Sequence, residues 1–223
     1  INFLTHIYRM SLTNTQLKTL SERMNFPLAE ISFKDELPAK LEFNKGYIIN
    51  NEDAVDEDGK PNGGSHWTCL QINKYPNGNV EGIYFDPYGA GMPQDVEKAV
   101  KDTIGKSIPH TTKDIQSLMN NACGYFVSAF LHFINSSQYR SKDLFSDVST
   151  FLDMFDDLNI SVDFKKNEYI LKQFFRSDEA SKRKPIEVDF ENANIIDPND
   201  IINGDKGNGI DLTKIPVGMK MMK

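Results

Sequence analysis

Two strand-like runs, His66 to Asn73 and Val80 to Asp86, are separated by Pro76-Asn77-Gly78-Asn79. Apolar and β-branched residues on either side of an Asn-Gly turn signal read as an antiparallel hairpin. Pairing in a hairpin sets the start of the first strand beside the end of the second. His66 and Asp86, far apart in sequence, then become neighbours at one end of the ladder. Pro87-Tyr88-Gly89-Ala90-Gly91 stops the second strand there, because proline cannot donate to a sheet ladder.

The rest of the chain supplies helices to cover this hairpin. Thr13-Asn14-Thr15-Gln16 has capping-box spacing, with Leu17, Leu20 and Met24 on one helical face, so a helix is expected over 14–24. Residues 26–45 are mixed, with Pro27 and Pro38 breaking regularity, and 46–50 reads as a short buried strand. The acidic, then Gly- and Pro-rich stretch Asn51 to Gly64 is a loop. Pro93 opens a helix whose apolar positions are Val96, Ala99, Val100 and Ile104. Short strands are expected at 107–111 and 114–118. A strongly apolar helix is expected from Gly124 to Asn135, with Phe126, Ala129, Phe130 and Phe133 inward, and further helices at 145–157 and 166–176. The expected fold is α+β, a small mixed sheet packed by helices.

Three segments follow from this reading: an N-terminal extension at 1–9, a domain at 10–177 and an arm at 178–223. The chain begins with Ile1, and Met10 is a candidate start. Beyond Ser177, Asp, Asn, Gly and Lys dominate, a composition poor at forming a core, so the arm is expected to be extended or partly disordered. Ile195-Ile196 and Ile201-Ile202 are its apolar exceptions. Hydrophobic residues make up 39% of the chain and charged residues 26%, as in ordinary globular proteins. No apolar run approaches the roughly 20 residues of a membrane span, so no membrane association is expected. A net charge of -7 argues against a general nucleic-acid surface. The local basic groups, Lys182-Arg183-Lys184 and Lys214, Lys220 and Lys223, read as solvated. The short apolar start lacks a preceding basic segment, so it is not expected to act as a signal peptide. With 2 cysteines, Cys69 and Cys123, the chain fits a reduced intracellular setting rather than secretion.

Chemistry concentrates in four blocks. Cys123 stands where the polar Asn121 gives way to an apolar helix. A thiol at a helix N-terminus feels the positive end of the dipole, which favours thiolate; a buried structural cysteine is the plain alternative. Gly124 removes bulk beside it and leaves room for a substrate backbone. His66 follows Gly63-Gly64-Ser65 and opens a strand, where a general base can reach a cleft, with Gly64 leaving one edge open. Trp67 either covers the imidazole or fills the core. Asp86 would accept a hydrogen bond from His66 and fix its tautomer, the orienting role in a triad, although an Asp before Pro also commonly caps a turn. Gln116 lies seven residues before Cys123. Its amide can stabilise an oxyanion together with the Cys123 backbone N–H, or it is simply a polar loop residue. None of this requires a metal or cofactor.

Gly-Gly-Ser-His-Trp, Tyr-Phe-Asp-Pro-Tyr-Gly, a Gln seven residues before Cys-Gly-Tyr-Phe, and then Phe-Leu-His occur in that order. This set resembles the adenain family, the maturation proteases of adenoviruses, over roughly residues 12–135. The resemblance implies a papain-like or adenain-like cysteine protease fold with the catalytic Cys at a helix N-terminus. It implies Cys123 as nucleophile, His66 as base, Asp86 as orienting acid and Gln116 in the oxyanion hole. Gly64, Trp67 and Gly124 would line the substrate channel, and a narrow channel between Trp67 and the Cys123 helix would admit Gly. Adenovirus enzymes often carry Glu where this chain has Asp86; SUMO-specific and some large-DNA-virus proteases of the wider clan use Asp. Adenovirus enzymes are activated by a viral peptide joined through a disulfide. Here only Cys69 is available, on an expected core strand, so any peptide activator is expected to bind without a disulfide.

The expected function is that of a viral maturation endopeptidase, from an adenovirus-related virus, virophage or related element. Its expected partners are capsid or other structural precursors cut at Gly-containing sites. Its expected location is the virion and the virus factory of the host cell, in cytoplasm or nucleus. Two alternatives stay open: a ubiquitin- or SUMO-specific protease of the same clan, and a catalytically idle scaffold.

Overall fold

The structure is a computed structural model that describes residues 12–118, 120–136, 143–160 and 164–176. The expected extension at 1–9 and arm at 178–223 lie outside the described residues. In chain order the elements are α1 (Asn14–Met24), β1 (Leu28–Phe33), a 3-10 turn (Lys34–Glu36), β2 (Lys45–Asn50), β3 (Trp67–Lys74), β4 (Val80–Phe85), α2 (Gln94–Ile104), α3 (Cys123–Asn135), α4 (Leu144–Leu152) and α5 (Phe164–Arg176). The architecture is α+β. The sheet is four-stranded in the order β1-β2-β3-β4. It is mixed, since β1 runs parallel to β2 while the β2–β3 and β3–β4 pairs are antiparallel.

Strand alternation divides the core between two faces. Ile48, Cys69, Ile83 and Phe85 face a cluster with Leu17 and Leu20 of α1, Phe126 and Phe130 of α3, Phe151 of α4 and Leu171 and Phe175 of α5. Tyr47, Ile49, Leu70, Ile72 and Tyr84 face the other way, onto Val96, Ala99 and Val100 of α2. Helices therefore cover both faces of the sheet, and α3 is the central one. Eleven of its residues, Cys123 among them, are buried, which explains why its sequence is apolar all round rather than along one stripe. Phe130 stacks on Phe85 at 4.3 Å and Phe151 meets both rings edge-on, fixing α3 across the strand that leads to Asp86.

The capping box forms as read: Gln16 N donates to Thr13 Oγ1 and Thr13 N donates to Gln16 Oε1. Four expectations are corrected. Residues 28–33 form a strand, which Pro27 and Pro38 bracket rather than break. The 107–111 segment is no strand: its sheet pairing is a single bridge between Tyr84 and His110. The 114–118 segment is a loop pinned by Ile115 N and Gln116 N, both donating to Pro87 O. The helix expected at 145–157 ends at Leu152. No helix among the described residues is long and apolar enough to cross a membrane.

Candidate active site

The hairpin register decides the first contact. Cys69 pairs with Phe85 across β3 and β4, so Asp86 lies just past the end of the ladder, level with the entry to β3. His66 sits one residue before β3, its carbonyl accepting from Asn51 N at 3.0 Å. Its Nε2 meets Asp86 Oδ1 at 2.8 Å. The Asp86 side chain is 1% exposed and that of His66 14%, so solvent does little to weaken the pair. Asp86 Oδ1 also accepts from Tyr88 N at 2.8 Å, an Asx turn that Pro87 pre-sets. Asp86 is thus itself oriented by the turn that stops β4.

With Nε2 committed to Asp86, Nδ1 makes no hydrogen bond to oxygen or nitrogen. The other side chain coupled to the imidazole is Cys123. Burial pushes the His66 pKa down, but the hydrogen bond to Asp86 and the nearby Cys123, with the charges of both, outweigh it, and the group is pushed up to about 9. A buried imidazole that holds its proton so firmly is a partner for a thiolate. Cys123 is the first residue of α3 and 2% exposed. First-turn amides have no acceptor within their own helix and carry the positive end of its dipole, so the sulfur meets partial positive charge from the backbone as well.

The loop that delivers Cys123 is held by α5. Asn167 Nδ2 donates to Ile115 O at 3.1 Å, and Asn120 Nδ2 donates to Glu168 Oε1 at 2.6 Å. Asn120 Oδ1 in turn accepts from Ala122 N at 3.1 Å. Gln116 is 1% exposed within this loop. Its Nε2 donates to Tyr88 Oη and to Asn120 O, each at 3.2 Å. The Tyr88 ring stacks on the His66 ring, centroids 4.4 Å apart and planes at 21°. His66, Asp86, Gln116 and Cys123 are therefore brought into one neighbourhood. Tyr88 and Asn120 belong to it too, and sequence reasoning missed both. Tyr88 lay in plain view inside the Phe-Asp-Pro-Tyr-Gly block, where it read only as a strand end.

The residues expected to line a substrate channel are placed differently. Trp67 is 4% exposed, and its Nε1 donates to Leu12 O at 2.7 Å. A methyl group on Gly124 would meet Leu12 Cβ and Cδ1 at 3.0 Å and Leu17 Cδ2 at 3.2 Å. Leu12 thus fills the space expected between Trp67 and the Cys123 helix, and the missing side chain of Gly124 makes room for that packing rather than for a ligand. Gly64 adopts a left-handed φ of 73° with Asn50 against it. Asn50 Oδ1 accepts from Glu52 N and Ser65 N, tying the loop before His66 to β2. A Gly64→Ala side chain would collide with Asn50 Nδ2 in a backbone conformation that L residues rarely adopt. The expected loss is about 2–3 kcal/mol, read as a melting point roughly 5–10 °C lower. An unchanged melting curve would show that the Asn50 anchor yields without cost.

The remaining histidines and the second thiol stand apart. His110 is exposed, and His132 Nδ1 bonds Met24 O at 2.7 Å in a structural contact; His6 lies outside the described residues. Cys69 is fully buried in β3, and burial, then Asp86, push its thiol well above its usual range, leaving it no surface for a disulfide partner. Among the described residues no group of three or more His, Cys, Asp or Glu is placed to hold a metal ion. No protein-family model matches the chain, and no curated protein matches it significantly.

Proposed function

We propose that the chain is a cysteine endopeptidase with an adenain-like fold and site. One observation carries this reading: a single imidazole is held at 2.8 Å by a buried carboxylate while a thiol at a helix start couples to the same ring. In the proposed reaction, Cys123 Sγ, as thiolate, attacks the scissile carbonyl carbon, and the carbonyl π pair moves onto oxygen. The Cys123 N–H donates to that oxyanion, and Gln116 supports it from the same loop. Its collapse expels the amine, which takes a proton from the His66 imidazolium and leaves a thioester. Neutral His66 then takes a proton from water as the hydroxyl attacks. The second collapse releases the thiolate and the carboxylic acid, which loses its proton to solvent, with His66 protonated again. Asp86 fixes the ring and stabilises its charge without exchanging a proton.

The resemblance points the substrate reading to capsid or other structural precursors cut at Gly-containing sites. With Leu12 between Trp67 and Gly124, the Gly preference rests on that resemblance and not on a channel at those residues. Peptides spanning capsid-precursor, ubiquitin and SUMO cleavage sites, compared at equal concentration, test the substrate class. Cuts mapped by mass spectrometry in precursors alone support it; a preference for ubiquitin or SUMO overturns it. A thiol-reactive peptide probe that fails to label Cys123 would instead favour an idle scaffold.

Gln116→Ala is expected to lower kcat with little change in KM, since charge on the carbonyl oxygen develops only after the ground state. Loss of one such donor typically costs about 3 kcal/mol, on the order of a hundredfold in rate. Steady-state kinetics on a Gly-containing peptide provide the check, and an unchanged kcat removes Gln116 from the oxyanion hole.

A further inference from the structure

Gln116 as placed has a problem that its neighbour solves. An amide nitrogen carries two protons, and both are spent, one on Tyr88 Oη and one on Asn120 O, each at 3.2 Å. Tyr88 Oη receives the first of these and so keeps its own proton to donate. Among the described residues that hydroxyl has no acceptor. The ring is half-buried rather than enclosed. It is fixed from two sides, by its stack on His66 and by its backbone N–H on Asp86 Oδ1.

We propose, building on the peptidase reading, that Tyr88 is a further catalytic residue whose hydroxyl donates a hydrogen bond to the oxyanion, with Gln116 polarising it from behind. The chain runs from the Gln116 amide proton to Tyr88 Oη, and from the Tyr88 proton to the carbonyl oxygen; no proton changes owner. A hydroxyl that accepts a hydrogen bond becomes a better donor, and a donor already fixed in place costs no reorganisation when charge appears. Burial and then the charges of Cys123 and Asp86 push Tyr88 up to about 12, so it keeps its proton at neutral pH and lies within electrostatic reach of the sulfur. Gln116 thereby acts through Tyr88, and its loss would be felt in kcat by that route.

Tyr88→Phe isolates the hydroxyl, because the ring can still stack on His66. Three measurements on the whole chain test it: turnover of a peptidyl-Gly-Gly-aminomethylcoumarin, alkylation of Cys123 by iodoacetamide mapped by mass spectrometry, and the same turnover in the Gln116→Ala background. The expected results are a kcat lower by about 10- to 100-fold with KM little changed, an unchanged alkylation rate, since alkylation forms no oxyanion, and little further loss in the double variant. An unaltered kcat overturns the proposal. Alkylation falling in step with turnover also overturns it, by showing that Tyr88 acts on the thiolate–imidazolium pair. Fully multiplicative losses overturn the relay through Gln116. A wild-type chain that is alkylated at Cys123 but cleaves nothing defeats the peptidase reading and this inference with it; a cleaving wild type beside an unimpaired Tyr88→Phe defeats the inference alone.

Discussion

A Cys123→Ala protein is expected to fold and to cleave nothing. The proposed reaction has no other nucleophile. Cys69 is wholly buried in β3 on the face of the sheet that α3 covers and cannot substitute. Removal of the nucleophile from a catalytic triad costs on the order of 10⁶ in kcat, so turnover should fall below detection. The fold should tolerate the change. Cys123 is 2% exposed at the first turn of α3, alanine suits a helix, and only one sulfur is deleted. Circular dichroism melting close to wild type, beside a dead peptide assay, is the expected pair of results. Retained turnover in the purified variant would remove Cys123 from the chemistry. A dead protein that also fails to melt cooperatively would make Cys123 a packing residue first.

The sequence reported the His66–Asp86 contact and the helix start at Cys123 more fully than it reported the fold around them, for physical reasons. The His66–Asp86 pair follows from local rules: two strand-like runs, an Asn-Gly turn and a proline stop together fix a register, and a register fixes which ends meet. The α1 cap is likewise local, written in Thr13 and Gln16. β1 escaped because it is an edge strand whose one fully buried position holds a polar residue, Ser32, so it shows no clear alternation to read. The place of Leu12 was invisible for a different reason. Gly124 and Trp67 look like an opening beside the thiol when only their own side chains are considered. The residue that closes it lies 55 positions before Trp67, in a contact that no periodicity encodes. Tyr88 illustrates the same limit. Its link to Gln116 joins the β4 turn to the loop before α3, and only the pinning of that loop by Pro87 O and by α5 brings the two together.

His66→Ala should come next in severity, and Asp86→Asn should be milder, with the difference visible in the pH profile. His66 exchanges the proton in both half-reactions, whereas Asp86 only holds and stabilises the ring. In serine triads the corresponding losses are on the order of 10⁶ and 10⁴ in kcat; the order, with Asp86→Asn retaining at least about tenfold more activity, is expected here. The imidazolium that protonates the leaving amine persists until pH passes the His66 pKa, so wild-type kcat/KM should decline on an alkaline limb near 9. Burial alone pushes His66 down, and Asp86 supplies part of what opposes it, so in Asp86→Asn the limb should move to lower pH. Stability follows the same sign. The folded pKa, about 9, exceeds the ordinary value of 6.5, so the folded state binds the proton more tightly. This contribution is fully present below about 6.5 and is lost as pH rises through about 9. The wild-type melting point should therefore lose this increment between about pH 6 and pH 9.5, and Asp86→Asn should show a flatter dependence. Equal kinetic losses in the two variants, or an alkaline limb that stays near 9 in Asp86→Asn, would mean that another group supports the imidazole.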